Sequence, residues 1–268
     1  EGFSAVGAAT FEAYVRSWTV VLAILCGLLV LLGVYHVRAL PAGGGAAERH
    51  SLRDGLSGLK EVVGAFFQKK HIWYYLGFII LYRLGEGFVM KIVPLFLKAD
   101  TASGGLGLTN QQIGLYYGTF GAGAFLLGSL LAGYYIAHRG LRRTLFILCC
   151  IFNIPFAVYA LLAWLQPQSM WIVGGGIVLE YFGYGFGFVG LTLFMMQQVA
   201  PGRHQMAHYA FASGIMNLSV MLTGAVSGYL SDALGYGMFF LAVMLATVPA
   251  FLVTWFVPFT YDDKPNDK

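Results

Sequence analysis

One long apolar run of this sequence carries three ionisable residues: Arg83 and Glu86 in Tyr82-Arg83-Leu84-Gly85-Glu86-Gly87, and Lys91 five positions further on. A charge embedded in hydrocarbon costs on the order of 3 kcal/mol, so such residues face a bundle interior or a wet cavity and find partners there. Arg83 and Glu86 are three apart, hence neighbours on one helix face, where each offsets the desolvation of the other. Burial favours the protonated carboxyl and a guanidinium favours the carboxylate, and a glutamate held between those two influences is a switchable proton site. The same two residues also fit a permanent ion pair that only fixes helix packing. A second acid, Glu180 in Val178-Leu179-Glu180-Tyr181, stands near the middle of another apolar run. It is either a second cavity charge or a carboxyl kept protonated and hydrogen-bonded between helices.

Polar residues suited to a substrate are fewer. Arg83 and Lys91 are the cations at depth, and Ser213 and Asn217, four apart and therefore on one face, either line a polar path or bond between helices. Asn217 formally opens an N-x-S sequon, but its depth argues against glycosylation. Glycines 185, 187 and 190 satisfy G-x-G-x-x-G, yet no strand precedes them, so a nucleotide reading fails and close helix approach is expected instead. Gly224, Gly228, Ala124, Gly128 and Ala132 read the same way. His36, His50, His71, His138, His204 and His208 lie near predicted span ends or in a linker, with no H-E-x-x-H or triad-like arrangement. Cys26, Cys149 and Cys150 sit in apolar runs and behave as small hydrophobes. No metal, cofactor or enzymatic chemistry is indicated, and no G-x-x-x-x-G-K-[ST] supports ATP-driven work.

The elements that must position these residues follow from composition. Of 268 residues, 58% are hydrophobic and 10% charged, against roughly 45–50% and about 25% in soluble domains. Too few charges remain to cover a water-facing surface, so lipid is the expected solvent and the lipid bilayer a partner. The formal net charge of +4 calls for no nucleic acid. Seven runs have the length of a membrane-crossing helix: 17–36, 72–97, 110–137, 144–165, 170–198, 206–230 and 237–259. The predicted fold is all-α, a polytopic membrane protein of seven transmembrane helices. Thr109 and Gln112 form a capping box before the third. Between the first two spans, Leu52, Leu56, Leu59, Val63 and Phe66 recur at helical spacing among Arg53, Asp54, Lys60, Glu61, Lys69 and Lys70. They mark an amphipathic helix, either a tether along the membrane face or a solvated linker. Three segments result: a first helix in 1–38, a linker in 39–71, and a six-helix bundle with a short tail in 72–268. Basic residues fall mostly in the linker, the 138–143 loop, Arg203 and the tail (Lys264 and Lys268), whereas the other side holds Arg16 and Lys98. The linker and tail are therefore expected in the cytoplasm. The chain opens on Glu1 without a basic leader, and a piece of a longer protein is the expectation.

Gly133 to Arg143, G-Y-Y-I-A-H-R-G-L-R-R, resembles the G-x-x-x-D-R-x-G-R-R loop of major facilitator transporters between helices eight and nine. Gly133, Gly140, Arg142 and Arg143 match, while Ala137 and His138 replace its Asp and Arg. Ile79 to Met90, I-I-L-Y-R-L-G-E-G-F-V-M, resembles the opening of the second half of AmpG-type muropeptide permeases. L-E-Y-F-G-Y-G-F-G around Glu180 and His208 to Ser213 resemble two further segments of that family. The resemblance implies a partial major facilitator fold: helix six, the linker and helices seven to twelve of a parent whose missing N-terminal half completes it. It further implies a proton-coupled importer of small peptidoglycan-derived muropeptides at the bacterial inner membrane, with Glu86 and Glu180 as proton-coupling candidates. By the same resemblance Gly133, Gly140, Arg142 and Arg143 form a gating loop. Another sugar-containing or acidic metabolite, or a non-transporting sensor with a transporter fold, are the alternatives.

Overall fold

The computed structural model describes residues 2–40 and 52–261, with side chains described for 11–40 and 58–261. Within those bounds all regular structure is helical. The chain divides into two units, Glu1–Gly55 and Leu56–Lys268.

In the first unit, α1 (Gly2–Ala39) is 38 residues long, or about 57 Å at 1.5 Å per residue. From Phe11 onward every described side chain is exposed. A helix apolar on all sides suits hydrocarbon rather than water. Ser17 and Thr19 return their hydroxyls to the carbonyls of Ala13 and Val15, at 2.8 Å each.

The second unit opens inside α2 (Leu52–Phe67), and six spans follow. The first is broken into α3 (Ile72–Tyr82) and α4 (Leu84–Lys98). Next, α5 (Asn110–Ile113) opens with the expected capping box of Thr109 and Gln112 and continues through a π-helical turn, Gly114–Phe120, into α6 (Gly121–Arg139). Pro155 interrupts the following span between α7 (Leu141–Asn153) and α8 (Ala157–Leu165). Then α9 (Met170–Phe194) ends in a second π-helical turn, Met195–Val199. Finally α10 (Gln205–Ala246) is two spans joined at Gly235, whose φ of 71° only glycine adopts readily, and α11 (Val248–Trp255) completes the last one. Among the described residues, five helical stretches are long and apolar enough to cross a membrane. Splitting 205–255 at Gly235 and adding the charge-bearing span 72–98 yields the seven that the sequence predicts.

Side-chain size decides which helices touch. Helix α9 packs between α6 and α7, and its glycines make the room. A Cβ on Gly185 would strike the backbone of Phe125, whereas one on Gly187 would meet Phe152 and stand 2.8 Å from the Leu148 carbonyl. Ala124, Gly128 and Ala132 present the matching small face of α6, while Leu126, Leu127 and Leu130 on its other side are exposed. The expected close approach thus holds on α6 and α9. It fails at Gly228, which has open space around it. Exposed tryptophans mark two levels: Trp73 and Trp255 at the linker end of the bundle, Trp164 and Trp171 at the opposite end, as interfacial anchoring requires.

The linker end is tied together by backbone acceptors. The Lys69 ammonium donates to the carbonyls of Val199, Ala200 and Pro201 at 2.5, 3.1 and 2.7 Å, a cation where the helix dipole is negative. Buried Gln198 accepts from the amides of Thr260 and Tyr261 and donates to the Tyr261 carbonyl. From α2, Phe66 packs on Phe211 and His208, and Glu61 pairs with Arg203 at 3.2 Å. The carboxyl half of the amphipathic helix is therefore docked on the bundle. The side chains of Leu52, Arg53, Asp54 and Leu56, together with Arg49, His50, Lys264 and Lys268, lie outside the described residues.

Gly187→Val should lower unfolding stability of the detergent-solubilised chain by about 1–3 kcal/mol through overpacking. Gly175→Ala, at a position with nothing within 4 Å, should not. Equal denaturant midpoints for the two variants would contradict this packing.

Candidate functional site

The break between α3 and α4 falls on Arg83, whose φ of −102° and ψ of 9° lie in the sparsely allowed bridge region. Two glycines follow at 85 and 87, and a Cβ on either would overlap Thr247 or Thr223 respectively. The chain there is poor in helix propensity and pressed against neighbouring spans, which is where a helix yields. Opening the helix at this point leaves the guanidinium folded onto the carboxylate three residues ahead. Arg83 Nε donates to Glu86 Oε2 at 2.5 Å, and Nη2 donates to Oε1, a two-point fork. Both residues are 4% exposed. The guanidinium carbon also stands 5.2 Å from the centre of the Phe188 ring, a cation–π contact.

Glu180, 6% exposed, sits on α9 and accepts a 2.8 Å hydrogen bond from the hydroxyl of Tyr159 on α8. The two acids line one cavity of about 40 Å³, shared with Tyr117, Tyr159, Tyr181 and Tyr184. Four spans contribute to it. At roughly 10–15 Å³ per water, it has room for about two to four water molecules and not for a sugar or peptide. Glu86 is matched to a fixed cation, whereas Glu180 has a neutral donor that brings no countercharge. Two carboxyl groups in unlike settings around a water-sized space are an arrangement through which a proton can pass. Among the described residues no cluster of three or more His, Cys, Asp and Glu could hold a metal ion.

The remaining candidates lie elsewhere. Lys91 is exposed on α4 with its stem laid over Gly224 of α10. Asn217 is exposed and Ser213 half-buried on α10, and neither lines the cavity. Gly133 has open space around it, and Gly140, at φ 78°, makes the turn from α6 to α7. Arg142 and Arg143 are exposed, and among the described residues no carboxylate pairs with either. What the residue pattern alone missed is the tyrosine set. Tyr159 is a lone hydroxyl in an apolar run, which is the signal that could have found it, since a buried phenol needs an acceptor.

A helical membrane bundle built around buried, partnered charges is the architecture of a solute carrier's half. Residues 80–268 match the Major Facilitator Superfamily, and the chain belongs to that family. It is 26% identical over 188 residues to the anhydromuropeptide permease of Escherichia coli, covering 70% of this chain and 37% of that protein. Over 195 residues it is 24% identical to the putative transporter AmpG 2 of Rickettsia bellii, covering 72% and 46%. The resemblance to AmpG-type transporters therefore stands. The chain spans less than half the length of these relatives.

Removing one member of the buried pair leaves the other charge uncompensated. Arg83→Met should destabilise the folded chain by about 3–5 kcal/mol, and adding Glu86→Leu should recover most of that loss. Tyr159→Phe, which strips Glu180 of its donor, should cost about 1–3 kcal/mol. Denaturant unfolding in micelles measures all three, and an Arg83→Met variant as stable as the parent chain would place the pair in water.

Proposed function

We propose that this chain is the carboxyl-terminal part of a secondary active transporter that imports peptidoglycan-derived muropeptides with protons across a bacterial inner membrane. In this reading the linker and tail face the cytoplasm. The observation that carries it is the convergence of Glu86 and Glu180 on one water-sized cavity in a major facilitator bundle related to the anhydromuropeptide permease of Escherichia coli. Transporters of this architecture bind cargo near the midplane between two halves and move by rocking one against the other. Cargo then contacts the open face of the bundle, where Lys91, Ser213 and Asn217 stand, with Arg83 reached from that side.

Proton and cargo load together because they share one guanidinium. Protonation of Glu86 from the outside removes the charge that holds Arg83. The freed guanidinium is then an unpaired buried cation, and an anionic group of the cargo stabilises it. By linkage, cargo bound at Arg83 and a proton bound at Glu86 favour each other to the same degree. Release inside reverses both steps, and Glu180 with Tyr159 supplies the second station for the proton.

In vesicles carrying the full-length protein, Glu86→Gln should abolish accumulation of muropeptide against a gradient yet leave exchange measurable, since the amide mimics the protonated acid. Arg83→Ala should weaken cargo binding itself. Concentrative uptake by Glu86→Gln with an unaltered pH dependence would transfer the coupling role to Glu180. Reconstituted alone, the present chain should show no saturable, gradient-dependent uptake.

A further inference from the structure

At the linker end of the bundle, away from the acid cavity, the beginning of α7 and the end of α11 flank another space of about 340 Å³. Arg142 and Arg143 border it from α7, and Thr254, Trp255 and Phe259 border it from α11 and the chain beyond. Phe146 meets Trp255 edge to face with ring centres 4.8 Å apart, and the Arg142 guanidinium stands 6.0 Å from the Phe259 ring centre. Two cations thus converge on a cavity walled by aromatic rings, and among the described residues neither has a carboxylate partner.

The surface beside the cavity is apolar and open. Ile147, one turn beyond Arg143, is 43% exposed, and Leu252, one turn before Trp255, is 58% exposed. Helices α7 and α11 are in contact, and each offers one of these apolar side chains a turn away from the cavity toward the middle of its span, which is the track available to an acyl chain. Trp255 and Phe256, 67% and 70% exposed, set the cavity at the level where headgroups meet hydrocarbon.

We propose that this cavity is a binding site for the headgroup of an acidic phospholipid, with an acyl chain along the Ile147–Leu252 track. Guanidinium groups match phosphate oxygens in geometry and charge, and basic pockets between transmembrane helices are suited to anionic headgroups. A free phosphate would satisfy the arginines but leave the apolar track unused. A zwitterionic lipid brings its own cation, which opposes the pair. The site is independent of the cargo, so it stands or falls apart from the transport reading.

The test titrates the purified chain, in neutral detergent, with phosphatidylglycerol or phosphatidylcholine of equal chain length and reads retained lipid by native mass spectrometry. Phosphatidylglycerol should be retained preferentially. Arg142→Gln and Arg143→Gln should each reduce that preference about fivefold, whereas Arg139→Gln, an exposed cation at the same end but outside the cavity, should leave it. Millimolar inorganic phosphate should not displace the lipid. The proposal is overturned by equal retention of both lipids, by an equal loss in Arg139→Gln, or by displacement with phosphate, which would make this a small-anion site. It is also overturned if the preference emerges only when Asp262 and Asp263 are changed to Asn, because the chain's own tail would then be the occupant. Melting in the same neutral detergent checks that each single variant is folded.

Discussion

Everything in the bundle accommodates one electrostatic demand: a guanidinium and a carboxylate, each 4% exposed, must be kept together where water is scarce. Neither charge is tolerable there alone, and in a well-packed apolar core the pair adds little over two hydrocarbons of the same shape. Its retention therefore makes sense for what it permits rather than for stability. The local fold bends to supply it. Arg83 interrupts a span, the two glycines beside Glu86 bring that span against its neighbours, and Phe188 covers the guanidinium.

Close packing and polarity are linked by the same glycines. Where α9 loses side chains at 185 and 187, α6 and α7 approach its backbone, and the helix that carries Glu180 is gripped from two sides. That grip holds the acid at a fixed depth opposite Glu86. The tyrosines contributed by three spans then fill the space that remains down to a water-sized void. The acids are thus held rigidly, whereas the face of α4 and α10 that carries Lys91 and Asn217 is exposed.

Much of this was legible from residue types. Charge scarcity and run length indicate the spans, because hydrocarbon thickness is a hard constraint on helix length. The three-residue spacing of Arg83 and Glu86 predicts their contact from helix geometry, and the contact is made although the helix breaks at Arg83. Less accessible were the interruptions. Neither the bridge conformation at Arg83 nor the π turns at 114–120 and 195–199 follow from periodicity, since each depends on what the neighbouring span presses against it. Nor could spacing foretell that Tyr159 of one span would meet Glu180 of another, or that Lys91, Ser213 and Asn217 would stand apart from the acids. Those are facts of tertiary packing, and a hydrophobic pattern reports only which face is apolar.

The sharp turn at Gly235 has a consequence for how such a chain enters a membrane. With one glycine between two long helices, there is almost no hydrophilic loop to carry across, and Asp232 is the single charge near the bend. Two spans so joined can partition into lipid as one hairpin, each covering part of the other's polar surface as it goes. Biogenesis of this segment is then a single event, and a longer polar insertion at the bend would turn it into two.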